Sequence, residues 1–199
     1  VNPNGVWSYG SMPTDFSSFT AMRSSFISAN GIGWNAPNTG NVWKSLVAGT
    51  QDGVSTGQVS LHPGPGNLPT SARFTVPFTG YYDIEGAFYA GHSGTMLVGI
   101  RKGSAFLFQA TDAGAFALHK VMLEAGATLD FVVYGGYGAG NTPLSCVITG
   151  STTPPYSPGD SILYANAFDW DGTSAWQSRG DDPIFATTSG APARGEVGG

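Results

Sequence analysis

Reactive chemistry in this chain would have to come from thirteen acidic residues, three histidines and one cysteine. His62, His92 and His119 lie in separate segments with no i, i+2 or i+4 partner, so a metal site would need the fold to gather them with a carboxylate from elsewhere. His62 and His92 fall in expected loops and His119 on an expected strand, where solvent-facing or locally hydrogen-bonded imidazole is the simpler reading. No Gly-x-Ser-x-Gly follows a strand, and no Ser, His and Asp set forms a nucleophile elbow. Asp83 and Glu85 alternate onto one face of an expected strand about 7 Å apart, a spacing that glycosidases use and that any solvated strand face also gives. Asp169-Trp170-Asp171-Gly172 resembles the opening of a calcium loop. It lacks the further acidic positions and closing Glu of that loop, although Asp181 and Asp182 are near, so a plain Asp-Gly turn is the simpler reading. These residues give no catalytic set, cofactor site or metal site, and the expectation is a protein that is not an enzyme.

Aromatic side chains carry the stronger signal. Five Trp, eight Tyr and twelve Phe make up 13% of the chain, and several stand in loops or at strand ends where core packing does not obviously claim them. Aromatic rings stack on sugar faces and anchor protein interfaces, because both uses need rigid apolar area with a polar edge. Trp34, Trp43, Tyr137, Trp170 and Trp176 are therefore the candidate binding residues, for carbohydrate or for a partner chain. Burial in the core or on a sheet face is the competing reading for each ring.

The elements that must position these rings are strands. Between residues 72 and 149, Tyr82, Ile84, Gly86 and Phe88 alternate with Tyr81, Asp83, Glu85 and Ala87, the period of a sheet with one buried face. Met96, Val98 and Ile100 repeat the pattern, as do Phe106 with Phe108, Leu129 with Phe131 and Val133, and Leu144 with Cys146 and Ile148. A run through Phe74, Val76 and Phe78 is expected to close at Gly80. Gly91-His92-Ser93-Gly94, Lys102-Gly103-Ser104, Glu124-Ala125-Gly126 and Gly138-Ala139-Gly140-Asn141 supply turn chemistry. Upstream, residues 6–10 read as a strand with two aromatics on one face, residues 42–47 and 58–61 as two more, and residues 11–30 as either a helical turn or two short strands. The expectation is an all-β, jelly-roll-like antiparallel β-sandwich over residues 1–150 with an extended C-terminal tail.

Composition agrees. Thirty Gly, thirteen Pro and 11% charged residues, against about 25% in average proteins, suit a turn-rich β fold. A formal charge of −5 makes a phosphate-tracking surface a poor expectation, so nucleic acid is not an expected partner. No apolar run of about 18 residues is present, and membrane insertion is not expected. A single cysteine, Cys146, forms no intrachain disulfide and reads as a buried small hydrophobe. A start on Val1 suggests a processed chain. Residues 151–159 have linker composition, and residues 160–199 hold two short apolar runs that cannot bury a core alone. The segment 151–199 is expected to pack on the sandwich or on a neighbouring subunit.

Asn2-Pro3-Asn4-Gly5-Val6-Trp7-Ser8-Tyr9-Gly10, followed by Leu61-His62-Pro63-Gly64 and by residues 72–82, resembles a β-sandwich module common in secreted bacterial proteins, many of which carry a C-terminal sorting anchor. The order Pro77, Gly80, Tyr82, Gly86, then Arg101-Lys102-Gly103 and residues 123–131, also resembles the jelly roll of the C1q and tumour-necrosis-factor superfamily. The likeness covers residues 2–149. It implies an extracellular or cell-surface location and, for jelly rolls of the C1q type, self-association; neither pattern carries catalytic residues. The leading expectation is a non-catalytic structural or assembly protein that forms a homo-oligomer or polymer through its sandwich and tail, in a filament, surface layer or virus particle. The alternative is a carbohydrate-binding module that takes a polysaccharide.

Overall fold

The structure is a computed structural model that describes residues 2–152 and 163–166. Its first part lays down β1 (Trp7–Ser11), β2 (Thr20–Ala21), β3 (Ser24–Ile27), β4 (Gly31–Asn35), β5 (Asn41–Ser45) and the small hairpin of β6 (Thr50–Gln51) and β7 (Val54–Ser55). There follow β8 (Val59–His62), β9 (Thr70–Thr75), β10 (Gly80–Phe88), β11 (Leu97–Lys102), β12 (Ala105–Thr111), β13 (Gly114–Leu123), β14 (Thr128–Tyr134) and β15 (Thr142–Ser151), with β16 (Leu163–Asn166) beyond.

From β8 onward the pairing is that of one long antiparallel hairpin wound on itself. β8 pairs with β15, β9 with β14, β10 with β13, and β11 with β12. Nested pairing of this kind, with successive arms placed in alternate layers, is the winding of a jelly roll. It gives one layer in the order β12-β11-β14-β9 and another in the order β13-β10-β15-β8. The N-terminal strands extend both. β1 and β2 continue the first layer beyond β9, and β5, β4 and β3 continue the second beyond β8.

The alternation read from the sequence is what fills the space between the layers. Tyr82, Ile84 and Phe88 of one sheet, and Val98, Ile100, Leu129, Phe131 and Val133 of the other, all lie within a single core cluster. Trp7 and Tyr9 join them from β1, with the Trp7 ring 5.3 Å from Phe74 and 5.7 Å from Phe131. Cys146 is buried in the same core, and burial pushes its thiol pKa up.

Three local expectations are corrected or resolved. The run through Phe74 does not continue to Gly80: β9 ends at Thr75, Gly80 opens β10, and Val76 is the last residue before Pro77 to bond across, to Ala127 and Gly126. Pro77 has no N–H to give the ladder. Residues 11–30 form two short strands rather than a helical turn, and Phe16 and Phe19 fall in the loop before them. On β13 the register shifts opposite Tyr82 and Ile84, and Lys120 takes a φ of 55°. This bulge lets Phe116 and Leu118 face inward before it and Val121 and Leu123 after it.

Beyond residue 152 the described part of the tail is β16. It lies antiparallel on β15, with Val147 opposite Asn166 and Gly150 opposite Leu163. β8 covers the same edge of β15 only at residues 142–144, so β16 occupies the length that β8 leaves.

Candidate functional site

Strand parity sends Trp34 and Trp43 to opposite sides of one sheet. Trp34 pairs with Val42, and both face the core; Trp34 is 5% exposed. Core packing therefore claims Trp34, and it is withdrawn as a binding residue. Trp43 pairs with Gly33 and points to the outer face. A Cβ on Gly31 would sit 2.6 Å from Trp43 Cε3, so the indole lies flat against a backbone that only glycine leaves open.

Around Trp43 the outer face of the second sheet forms a cleft of about 280 Å³. Phe26, which pairs with Gly33 from the other side, and Trp43 give it an apolar wall. Asn30, Asn41, Gln51, Asp52, His62 and Asn141 give it polar groups. Two neighbouring segments, at Trp43 and Asp52, meet a distant one at Asn141 here. Trp43 donates its Nε1–H to Asn141 Oδ1 at 3.1 Å, and Asn141 Nδ2 donates to the Asp52 carbonyl at 3.4 Å. Asp52 and Gly53, with φ of 48° and 78°, make the two-residue turn between β6 and β7. Positive φ at both positions is the hairpin turn that Asp-Gly favours. That dipeptide was the readable signal for Asp52, which sequence reasoning passed over.

His62 is fixed by two neighbours. Its Nδ1 lies 2.7 Å from the Pro63 carbonyl, and its Nε2 lies 3.4 Å from the Gly140 nitrogen. The tautomer that satisfies both carries its proton on Nδ1, so Nε2 accepts. Tyr137, 48% exposed, packs edge-on against this imidazole with ring centroids 5.5 Å apart. Two of the five expected binding residues, Trp43 and Tyr137, thus come to one region. Trp43 is only 8% exposed, so it offers the cleft a wall and an edge rather than an open stacking face. Asn41 Oδ1 is buried without a hydrogen-bond partner among the described residues. Trp170, Trp176 and the Asp169–Gly172 segment lie outside the described residues.

The Asp83 and Asp130 carboxylates have local partners. Asp83 Oδ1 accepts the Lys120 N–H at 2.8 Å, which satisfies a donor at the β13 bulge. His119 Nδ1 stands 3.6 Å from both Asp83 and Glu85 on the same face. Asp130 is gripped by Arg73 through two hydrogen bonds of 2.7 and 2.9 Å and accepts a third from Ser71. Among the described residues, no three His, Cys, Asp or Glu side chains converge as a metal site would require. No described helix is long and apolar enough to cross a membrane.

No protein family, no curated protein and no solved structure matches this chain. The arrangement of the cleft is thus the ground for a functional reading. An apolar wall beside fixed amides, in a shallow recess, can hold a small ligand whose own groups both donate and accept hydrogen bonds.

Proposed function

We propose that this chain is a non-catalytic binding module that takes a neutral, hydroxyl-rich saccharide in the Trp43 cleft. The observation that carries this reading is Asn41 Oδ1, a buried acceptor left without a partner beside the indole. A buried amide oxygen without a partner carries a desolvation cost that a ligand hydroxyl relieves. Asn30, Gln51 and Asn141 add donors and acceptors in pairs, the pattern that sugar hydroxyls match. Tyr137 extends the apolar edge beyond His62. Titration of neutral mono- and oligosaccharides, followed by calorimetry or by NMR shifts, should give saturable binding, and Asn41→Ala should weaken it about tenfold, a loss of about 1.4 kcal/mol. Absence of binding across a neutral glycan array, or unchanged affinity in Asn41→Ala, would overturn the reading.

A second reading rests on the tail. β16 completes the β15 edge with backbone hydrogen bonds, and a strand that completes an edge in its own chain can do the same on a second copy. This supports an extracellular or cell-surface assembly protein, a homo-oligomer or polymer in a filament, surface layer or virus particle. Light scattering of the full chain should then report assemblies at micromolar concentration. Deletion of residues 151–199 should reduce assembly while the sandwich stays folded. A monomer with and without the tail would remove this reading and leave the saccharide reading untouched.

A further inference from the structure

The outer face of the first sheet holds a different feature. Arg101, Asp130 and Arg73 stand side by side on β11, β14 and β9, with Arg101 opposite Asp130 and Asp130 opposite Arg73. Two guanidiniums thus flank one carboxylate, and the carboxylate is already committed. Both of its oxygens bind Arg73, and Ser71 takes a third bond. Arg101 is left over. It is 5% exposed, and among the described residues its Nε has no partner and no carboxylate lies within ion-pair distance of it. Among the described residues its one side-chain hydrogen bond runs from Nη1 to the Phe16 carbonyl at 3.5 Å. The Phe16 ring covers the guanidinium at 4.2 Å, and Phe106 lies 5.2 Å away.

Ring contact attracts a cation but does not replace a counterion. A buried guanidinium without one is unfavourable unless something supplies the charge. Beside it, beneath the loop of residues 12–19, is a recess of about 430 Å³ that Arg101, Arg73 and Asp130 line. Ser17, Ser18, Ser104 and Thr128 surround it with hydroxyls. Asp15 also lines the recess. It is fully exposed, and the Ser17 hydroxyl and backbone N–H hold its carboxyl below the usual range, so it stays ionised and faces water at the mouth.

We propose that this recess is a carboxylate-binding site, with Arg101 as the anion-binding residue, and that it takes an acidic sugar of hexuronate size. The guanidinium matches a carboxylate in charge and in planar geometry. The recess is far larger than a lone ion needs, and its rim of hydroxyls matches the hydroxyls of a sugar ring rather than a simple acid. The site lies on the opposite layer from the Trp43 cleft and does not depend on it.

The test is calorimetric titration of the full chain with D-glucuronate, D-glucose, acetate and sulfate as separate probes. Glucuronate should bind, glucose should not bind at this site, and acetate and sulfate should bind at least tenfold more weakly. Arg101→Gln should abolish glucuronate binding, with near-ultraviolet circular dichroism to check that it folds. Ser104→Ala, an exposed turn position, should weaken binding about threefold to fivefold and keeps the proposal testable if the arginine variant does not fold. Asp15→Asn should tighten binding about twofold by removing a negative charge from the mouth. Asn41→Ala, in the other cleft, should leave glucuronate affinity unchanged. No glucuronate binding, equal affinity for acetate, or loss of binding in Asn41→Ala rather than in Ser104→Ala would each overturn the assignment.

Discussion

The two outer faces of the sandwich use the same device for different ends. Each lays an aromatic ring flat on a glycine: Phe19 against Gly10 and Phe106 against Gly99 on the first sheet, Trp43 against Gly31 on the second. On the first sheet the rings act as covers. Phe19 lies 4.0 Å from the Arg73 guanidinium and Phe16 lies 4.2 Å from Arg101, so a loop of the chain roofs a row of charge. On the second sheet the ring forms the wall of an open cleft among amides. A chain with only 11% charged residues has therefore placed three of them side by side under a roof, and has lined its more open recess mostly with amides, beside Asp52 and His62. Charge under a roof is an architectural commitment, because removing one partner strands the others. Amides in an open cleft can exchange protein partners for water or ligand at little cost.

The largest test of this contrast compares one carboxylate with one amide. Asp130→Ala leaves the Arg73 guanidinium and the Ser71 hydroxyl without their acceptor, and should cost about 3 kcal/mol of stability in urea unfolding. That is the low end for a broken buried pair, since the Arg73 side chain keeps 23% of its surface open to water. Asn41→Ala removes an oxygen that has no partner among the described residues, and should cost less than about 0.5 kcal/mol. Equal losses would show that both faces are structural in the same sense.

Much of this architecture was legible in the sequence, and the reasons are physical. Period-two alternation is a local signal, and it located the inward residues of β10, β11, β14 and β15 directly. The Asn2–Gly10 stretch yielded a strand with Trp7 and Tyr9 on one face, as both are buried in the core. Trp34 was misassigned because its neighbours are turn residues, while burial depends on which face of β4 it takes, and the glycines around it give no alternation from which to read parity. The Trp43 cleft was out of reach for another reason. Asn141 comes to it from 98 residues beyond Trp43 and bonds Asp52 across 89 residues, through a loop and a hairpin that no local pattern connects. Arg73, Asp130 and Arg101 were likewise scattered until strand register aligned them. Asp83 was rightly placed on the outer face, but its bond to the bulge at Lys120 needed the register shift to be visible.

A second, smaller contrast sets two of the ring-bearing glycines, Gly31 and Gly10, against each other. A Cβ on Gly31 meets the Lys44 carbonyl at 2.5 Å as well as the Trp43 ring, inside a strand paired on both sides. A Cβ on Gly10 meets Phe19 and the Thr20 carbonyl, both at 2.5 Å, but Thr20 belongs to a two-residue edge strand that can move. Gly31→Ala should therefore cost about 2 kcal/mol and shift the indole fluorescence, whereas Gly10→Ala should cost about 1 kcal/mol and lift Phe19 from Arg73. A larger loss at Gly10 would mean that the roof over the arginines is the stiffer of the two surfaces.

A pH-dependent effect sharpens the comparison through a group that belongs to neither outer face. Cys146 faces inward from β15, and burial holds its thiol well above its ordinary pKa of 9.0. In the unfolded chain the thiol ionises near 9.0, while in the folded chain it keeps its proton, so above that pH the native state binds more protons and stability falls as pH rises. The contribution is fully present below pH 9.0 and is lost upward from there, about 1 kcal/mol by pH 10. Tyr9 and Tyr82 act in the same direction from their ordinary value of 10.0, since burial pushes both phenols up, that of Tyr82 to about 12. Urea unfolding at pH 8 and pH 10 should show the combined loss, and Cys146→Ala, whatever its cost at pH 8, should reduce the pH-dependent part by about 1 kcal/mol. An identical pH slope in Cys146→Ala would place the alkaline loss in the buried Tyr9 and Tyr82 phenols or in groups outside the core, and Tyr82→Phe would be the next variant to test.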